Sequence, residues 1–156
     1  MKIGIIVYSQ SGNTHSVAEK IAENLSTENN TVIYERITIE KGKTSNPKDF
    51  KFSLMPNTDN YDAIVFGAPV HAFSLCAVMK EYLNKIGDLK GKKVFCYTTH
   101  HFPFSILGGK QAISTMKKLC KSKNANIIGE GIIDWSKKDR ENQIENLISS
   151  IKNSFK

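Results

Sequence analysis

The chain has 156 residues, 40% hydrophobic and 24% charged, with a formal net charge of +7 at pH 7. That length and composition predict one domain, residues 1–156, with enough apolar residues for a real core, and exclude a disordered or fibrous chain. No apolar run approaches the roughly 20 residues of a membrane span and no signal peptide is visible, so no membrane span and a cytoplasmic location are expected.

The first predicted element is a strand, Ile3-Gly4-Ile5-Ile6-Val7. A loop, Ser9-Gln10-Ser11-Gly12-Asn13-Thr14, leads from it into a helix starting near His15, with an apolar stripe at Val17, Ala18, Ile21, Ala22 and Leu25. A hydroxyl-rich loop between a strand and a helix is suited to a phosphate. Backbone N–H groups at the helix start point at the anion, and the helix dipole favours negative charge there. A simple helix cap needs only one of these side chains. Gly12 lets the chain turn tightly.

Two other phosphate loops are excluded. There is no G-x-G-x-x-G after the first strand. Gly109-Lys110 is not a Walker loop, because Phe104 stands five positions before Gly109 and Gln111 replaces the Ser or Thr. With no Lys or Arg between Ser9 and Thr14, the loop suits a monophosphate that stays bound better than one that is transferred. His15 lies beyond the loop and reads as a surface helix residue.

A second strand, Thr31–Ile37, carries Glu35 and Arg36 and reads as a sheet edge. The long connection Thr38–Asn60 has no helical stripe. Asn46-Pro47 could start one short helix, and Phe50 and Phe52 are expected to pack this segment down. A third strand, Asp62–Phe66, precedes a helix with Met79, Tyr82, Leu83 and Ile86. A fourth, Lys93–Thr98, precedes a helix with Ala112, Ile113, Met116, Leu119 and Cys120. The last strand, Asn126–Ile133, carries Glu130 and two glycines and reads as the other edge. The final helix has Ile144, Leu147, Ile148, Ile151 and Phe155.

Repeated strand–helix units predict an α/β fold, a parallel sheet with helices on both faces. Edges at strands two and five fit a five-stranded order 2-1-3-4-5, whose switch point lies between strands one and three.

The three cysteines form no C-x-x-C pair, and no metal site is expected. Cys96 and Cys120 read as buried, and Cys76, near a candidate ligand loop, is the one to test for reactivity. Only Arg36 and Arg140 among the 22 basic residues are arginines. Scattered lysines read as a solvated surface, so no nucleic-acid partner is expected.

The Ser9-Gln10-Ser11-Gly12-Asn13-Thr14 loop after strand one resembles the phosphate loop of short-chain flavodoxins, which share this length and strand order. The resemblance implies a flavodoxin-like three-layer sandwich with non-covalent FMN, its phosphate on Ser9 to Thr14. It places the flavin ring between two loops. The first contributes Ala68, Pro69, Val70, His71 and Phe73, the second Thr98, Thr99, His100, His101 and Phe102. His71 or Phe73 is the candidate for one face of the ring and His101 or Phe102 for the other. Phe73, Phe102 and Phe104 could instead anchor their loops in the core.

The resemblance further implies an electron carrier with no catalytic residues of its own. Its partners would be redox proteins, at least one acidic to suit the basic chain. The alternative is an FMN-dependent oxidoreductase acting on a small molecule such as a quinone, with His71, His100 and His101 supplying protons or binding the substrate. Neither flavin loop carries a carboxylate, so a reduced, anionic flavin should be disfavoured less than in acidic flavodoxins. No glycine lies between Ala68 and Leu75, so a peptide flip there should be costly. The sequence leaves the oligomeric state open.

Overall fold

The computed structural model describes residues 1–26, 29–101 and 106–156. Five parallel strands form the central sheet: β1 (Lys2–Val7), β2 (Thr31–Arg36), β5 (Ala63–His71), β7 (Lys93–His100) and β8 (Asn126–Asp134). Their order is β2-β1-β5-β7-β8, the expected 2-1-3-4-5 in terms of the five parallel strands. Ile5 of β1 stands beside Tyr34 on one neighbour and Val65 on the other. The chain order therefore reverses between β1 and β5, and the crevice at their carboxyl ends is the switch point.

Side chains alternate across this sheet and bury both faces. Ile3, Ile5, Val7, Ala63, Val65, Phe95 and Tyr97 meet α1 (Asn13–Ser26) and α4 (Arg140–Phe155). Ile6, Ile64, Phe66, Val94 and Cys96 meet α2 (Ala77–Lys85) and α3 (Ile106–Ser122). Each large aliphatic side chain fully removed from water there stabilises the fold by about 1.5–3 kcal/mol. Both-sided burial explains why β1, β5 and β7 read as continuous apolar runs, whereas the edges β2 and β8 do not.

The segment after β2 departs from a short helix. It forms an antiparallel hairpin, β3 (Thr38–Lys41) with β4 (Phe50–Leu54). Phe50 and Phe52 alternate with Lys51 and Ser53, the period of a strand rather than a helix. Their rings meet edge to face at 5.3 Å and pack, with Ile39, on the α2–α3 core. Asn46 makes a turn instead of a helix cap: its Oδ1 accepts from Lys48 N–H at 3.0 Å. The carboxylate of Asp49 accepts from the Thr44 N–H and hydroxyl at 2.9 and 2.7 Å, pinning the hairpin tip.

β5 also runs past its expected end at Phe66. It continues to His71 and turns back into a two-residue antiparallel strand, β6 (Ser74–Leu75). The first expected flavin loop is thus a tight hairpin. No helix among the described residues is long and apolar enough to cross a membrane.

Candidate functional site

The phosphate-type loop sits at the carboxyl end of β1, where the switch point requires it. Gly12 holds φ at +96°, a conformation that L-residues with a side chain rarely adopt. A Cβ added at Gly12 would meet nothing within 4 Å, so the loop faces open space at this point. The Gly12 and His15 N–H groups both donate to the Ser9 hydroxyl at 3.2 Å, and Ser16 N–H donates to the Gly12 carbonyl at 2.9 Å. Backbone donors of the first helical turn therefore converge on an oxygen, the donor set an anion needs. Arg36 donates to the Ser9 carbonyl at 3.5 Å and places a cation beside the loop.

Buried contacts fix this loop to the next one. The Thr14 and Thr99 hydroxyls share a hydrogen bond of 2.8 Å, with both residues buried. The fully buried Tyr97 donates its hydroxyl to the Thr14 carbonyl at 2.8 Å. This bond needs Gly67, since a Cβ there would lie 2.3 Å from the Tyr97 ring. Burial, reinforced by Tyr34, raises the pKa of Tyr97, so its hydroxyl stays a donor. In the sequence Tyr97 reads only as a central-strand residue and Gly67 only as the start of the first flavin loop; their contact joins two strands and has no local signal.

The two proposed ring-bearing segments flank this point. In the β5–β6 hairpin, Val70 pairs with Leu75 and His71 with Ser74, leaving Ala72-Phe73 as a two-residue turn. Both turn residues have positive φ, 46° and 63°. That is the type I′ geometry, which normally calls for Asn and Gly. Phe73 is 68% exposed, so it does not anchor the loop in the core. His71 is half-buried, and burial together with the neighbouring Lys41 lowers its pKa, favouring the neutral ring. Ala68 is buried, while Pro69 and Val70 are partly covered.

On the other side, Thr98, Thr99 and His100 are buried and His101 is exposed. The Thr98 hydroxyl finds no hydrogen-bond partner among the described residues. His100 lies 3.8 Å from the Asp134 carboxylate, and its carbonyl accepts from Trp135 N–H at 2.7 Å. Asp134 and Trp135 come from the end of β8, and no local signal marked them. Phe102 and Phe104 lie outside the described residues.

Residues 4–124 match the family model of the flavodoxin domain. The chain belongs to the flavodoxin family. The fold of this flavodoxin-family chain is similar to that of solved flavodoxins of low sequence identity. A flavodoxin of Streptococcus pneumonia matches at 18% identity and TM-score 0.70, covering 97% of this chain and 96% of the other. Flavodoxin 1 of Bacillus cereus matches at 20% identity and TM-score 0.65, covering 97% and 98%. An NADH:FMN oxidoreductase also matches, at 15% identity and TM-score 0.68, covering 98% and 89%.

The structure adds detail at His15 and changes the expectation for Cys76 within this flavodoxin frame. His15 lies on α1, partly exposed, and is tied down: its Nδ1 bonds the Tyr34 hydroxyl, its ring stacks on Tyr34, and Nε2 lies 3.3 Å from Glu19. Burial drives the Tyr34 hydroxyl up to about 12, against the opposing pull of Arg36. Cys76, the proposed reactive thiol, is buried, and that burial pushes its pKa up to about 12. A thiol so rarely ionised is a poor nucleophile.

Proposed function

We propose that this flavodoxin-family chain binds FMN without a covalent bond and carries electrons between redox proteins. The observation that supports this reading most is the Ser9–Thr14 loop: backbone donors gathered at a helix start, a positive-φ glycine facing open space, and a position at the β1–β5 switch point. Ser9, Gln10, Ser11, Gly12, Asn13 and Thr14 would hold the phosphate. The segment Ala68–Phe73 would border one side of the ring, with Phe73 already exposed to cover a face. Thr98 to His101 would border the other, with the Thr98 hydroxyl, which has no partner among the described residues, suited to a polar atom of the ligand.

FMN supplies the electron-carrying chemistry; the protein supplies binding, orientation and electrostatics. The residues named here do three things. The loop would bind a phosphate through backbone N–H groups and hydroxyls, carrying no cationic side chain of its own, with Arg36 beside it. The Thr14–Thr99 and Tyr97–Thr14 bonds hold the two sides of the crevice at a fixed spacing. The two ring segments carry no carboxylate of their own, the Asp134 carboxylate of β8 standing behind His100, and a basic exterior with net charge +7 favours docking of an acidic redox partner.

The test compares FMN with riboflavin by quenching of flavin fluorescence. Loss of the phosphate removes several charge-assisted hydrogen bonds, so riboflavin should bind at least about a hundredfold more weakly. A protein purified without colour that fails to bind added FMN, or one that binds both flavins equally, would overturn the reading.

A further inference from the structure

The β5–β6 hairpin has two flanks. One packs on the start of α3, where a Cβ added at Gly108 would lie 3.0 Å from the Phe73 backbone. The other faces a cavity of about 580 Å³ bounded by the β3–β4 hairpin and α2. This space exists because the β2-to-β5 connection is a hairpin rather than a helix lying flat on the sheet. Among the described residues, Gln10, His71 and Ala72 belong both to its lining and to the segments assigned to the flavin. The cavity is therefore a neighbour of the flavin crevice, and none of the Ser11–Thr14 or Thr98–His101 residues lines it.

The lining is amphipathic. Tyr8, Ile39, Phe50, Leu75 and Val78 give apolar and aromatic walls. Lys41, Lys48 and Lys80 give three cations. The one carboxylate in the lining is Asp49, and it already accepts two hydrogen bonds from Thr44. Lys80 is held toward the cavity by the Ser74 hydroxyl at 3.4 Å. His71, kept neutral by burial and by Lys41, adds a hydrogen-bonding ring without a charge. A second space of about 670 Å³ between the same hairpin and α2 shares Lys48, Phe50 and Lys80 and adds Lys51 together with Lys85 and Glu81, an ion pair at 3.5 Å. Three lysines line one cavity with aromatic walls, and an anion entering it would meet their charges.

We propose that this cavity is a second ligand site, distinct from the flavin crevice, which takes a planar organic anion of the aromatic carboxylate or sulfonate class. A volume of this size holds a fused two-ring compound with room for its charged group. The rings would lie against the apolar and aromatic part of the lining, and the anion among Lys41, Lys48 and Lys80. Apolar walls alone would accept a neutral ring equally, so the lysines set the preference for charge.

The test is isothermal titration calorimetry on FMN-saturated protein, with naphthalene-2-carboxylate as probe and neutral naphthalene-2-carboxamide as its control. The carboxylate should bind one per chain, about tenfold more tightly than the carboxamide. The double variant Lys41→Gln/Lys80→Gln should lose about tenfold in carboxylate affinity, the scale of two partly exposed ion pairs, and keep its carboxamide affinity. The 450 nm flavin band, read in the same samples, should show FMN still bound. No binding of the carboxylate at millimolar concentration, equal affinity in the double variant, or release of FMN by the probe would each overturn the proposal.

Discussion

The Thr14–Thr99 bond gives the sharpest test of how the crevice is held together. It joins the start of α1 to the end of β7 through two buried hydroxyls 2.8 Å apart. Thr14→Val removes one hydroxyl, keeps the side-chain volume and leaves the Thr99 hydroxyl buried without this partner. A stranded buried hydroxyl costs about 1–3 kcal/mol. Thr99→Val should cost a similar amount for the mirror reason. Replacing both leaves two methyl groups in contact and strands nothing, so the double variant should be no less stable than either single one. The coupling between the sites is then about 1–2 kcal/mol. Urea unfolding of the FMN-free protein, followed by circular dichroism, measures all four corners of the cycle. Omitting FMN keeps ligand affinity out of the stability values. If the single effects add to within about 0.5 kcal/mol, the hydroxyls do not interact and the reasoning fails.

The strained turn at Ala72-Phe73 predicts an exchange of stability for ligand contact. Ala72→Asn/Phe73→Gly supplies the residues that type I′ geometry prefers and should stabilise the FMN-free protein by about 1 kcal/mol in thermal unfolding, while weakening FMN retention by removing the exposed ring. The buried thiols should be inert: Cys76, Cys96 and Cys120 should not react with a disulfide reagent in the folded protein, and all three should react in denaturant. His71 should give a pH signature. Burial, with Lys41 beside it, pushes its folded pKa below the ordinary imidazole value of 6.5, so the unfolded chain takes up the proton first as pH falls. Stability is therefore lost as pH drops through 6.5 toward the folded value. His71→Gln should flatten that part of the stability–pH curve measured by urea titration.

Much of the fold was legible from local pattern. Continuous apolar runs at Ile3–Val7, Ala63–Phe66 and Val94–Tyr97 marked strands buried on both faces, and Glu35, Arg36 and Glu130 marked the edges. Strands two and five at the edges fitted the order 2-1-3-4-5, which the sheet has. The connection Thr38–Asn60 was harder, because Asn-Pro is compatible with either a helix start or a turn. The decision fell to Phe50 and Phe52, whose alternation buries both rings only if the backbone is extended.

The sequence by itself determined where a phosphate could sit, because a strand, a hydroxyl-rich turn with one glycine and a helix follow one another in the chain. That is a local property: donors at a helix start need no distant partner. Tertiary structure alone decided what surrounds it. It set Tyr97 beneath Gly67, joined Thr14 to Thr99 across 85 positions, turned Phe73 outward, and buried Cys76 past reactivity. It also opened a lysine-lined cavity behind the β5–β6 hairpin. Each of these depends on burial and on contacts between residues far apart in sequence, and neither is a property of any one residue or its neighbours.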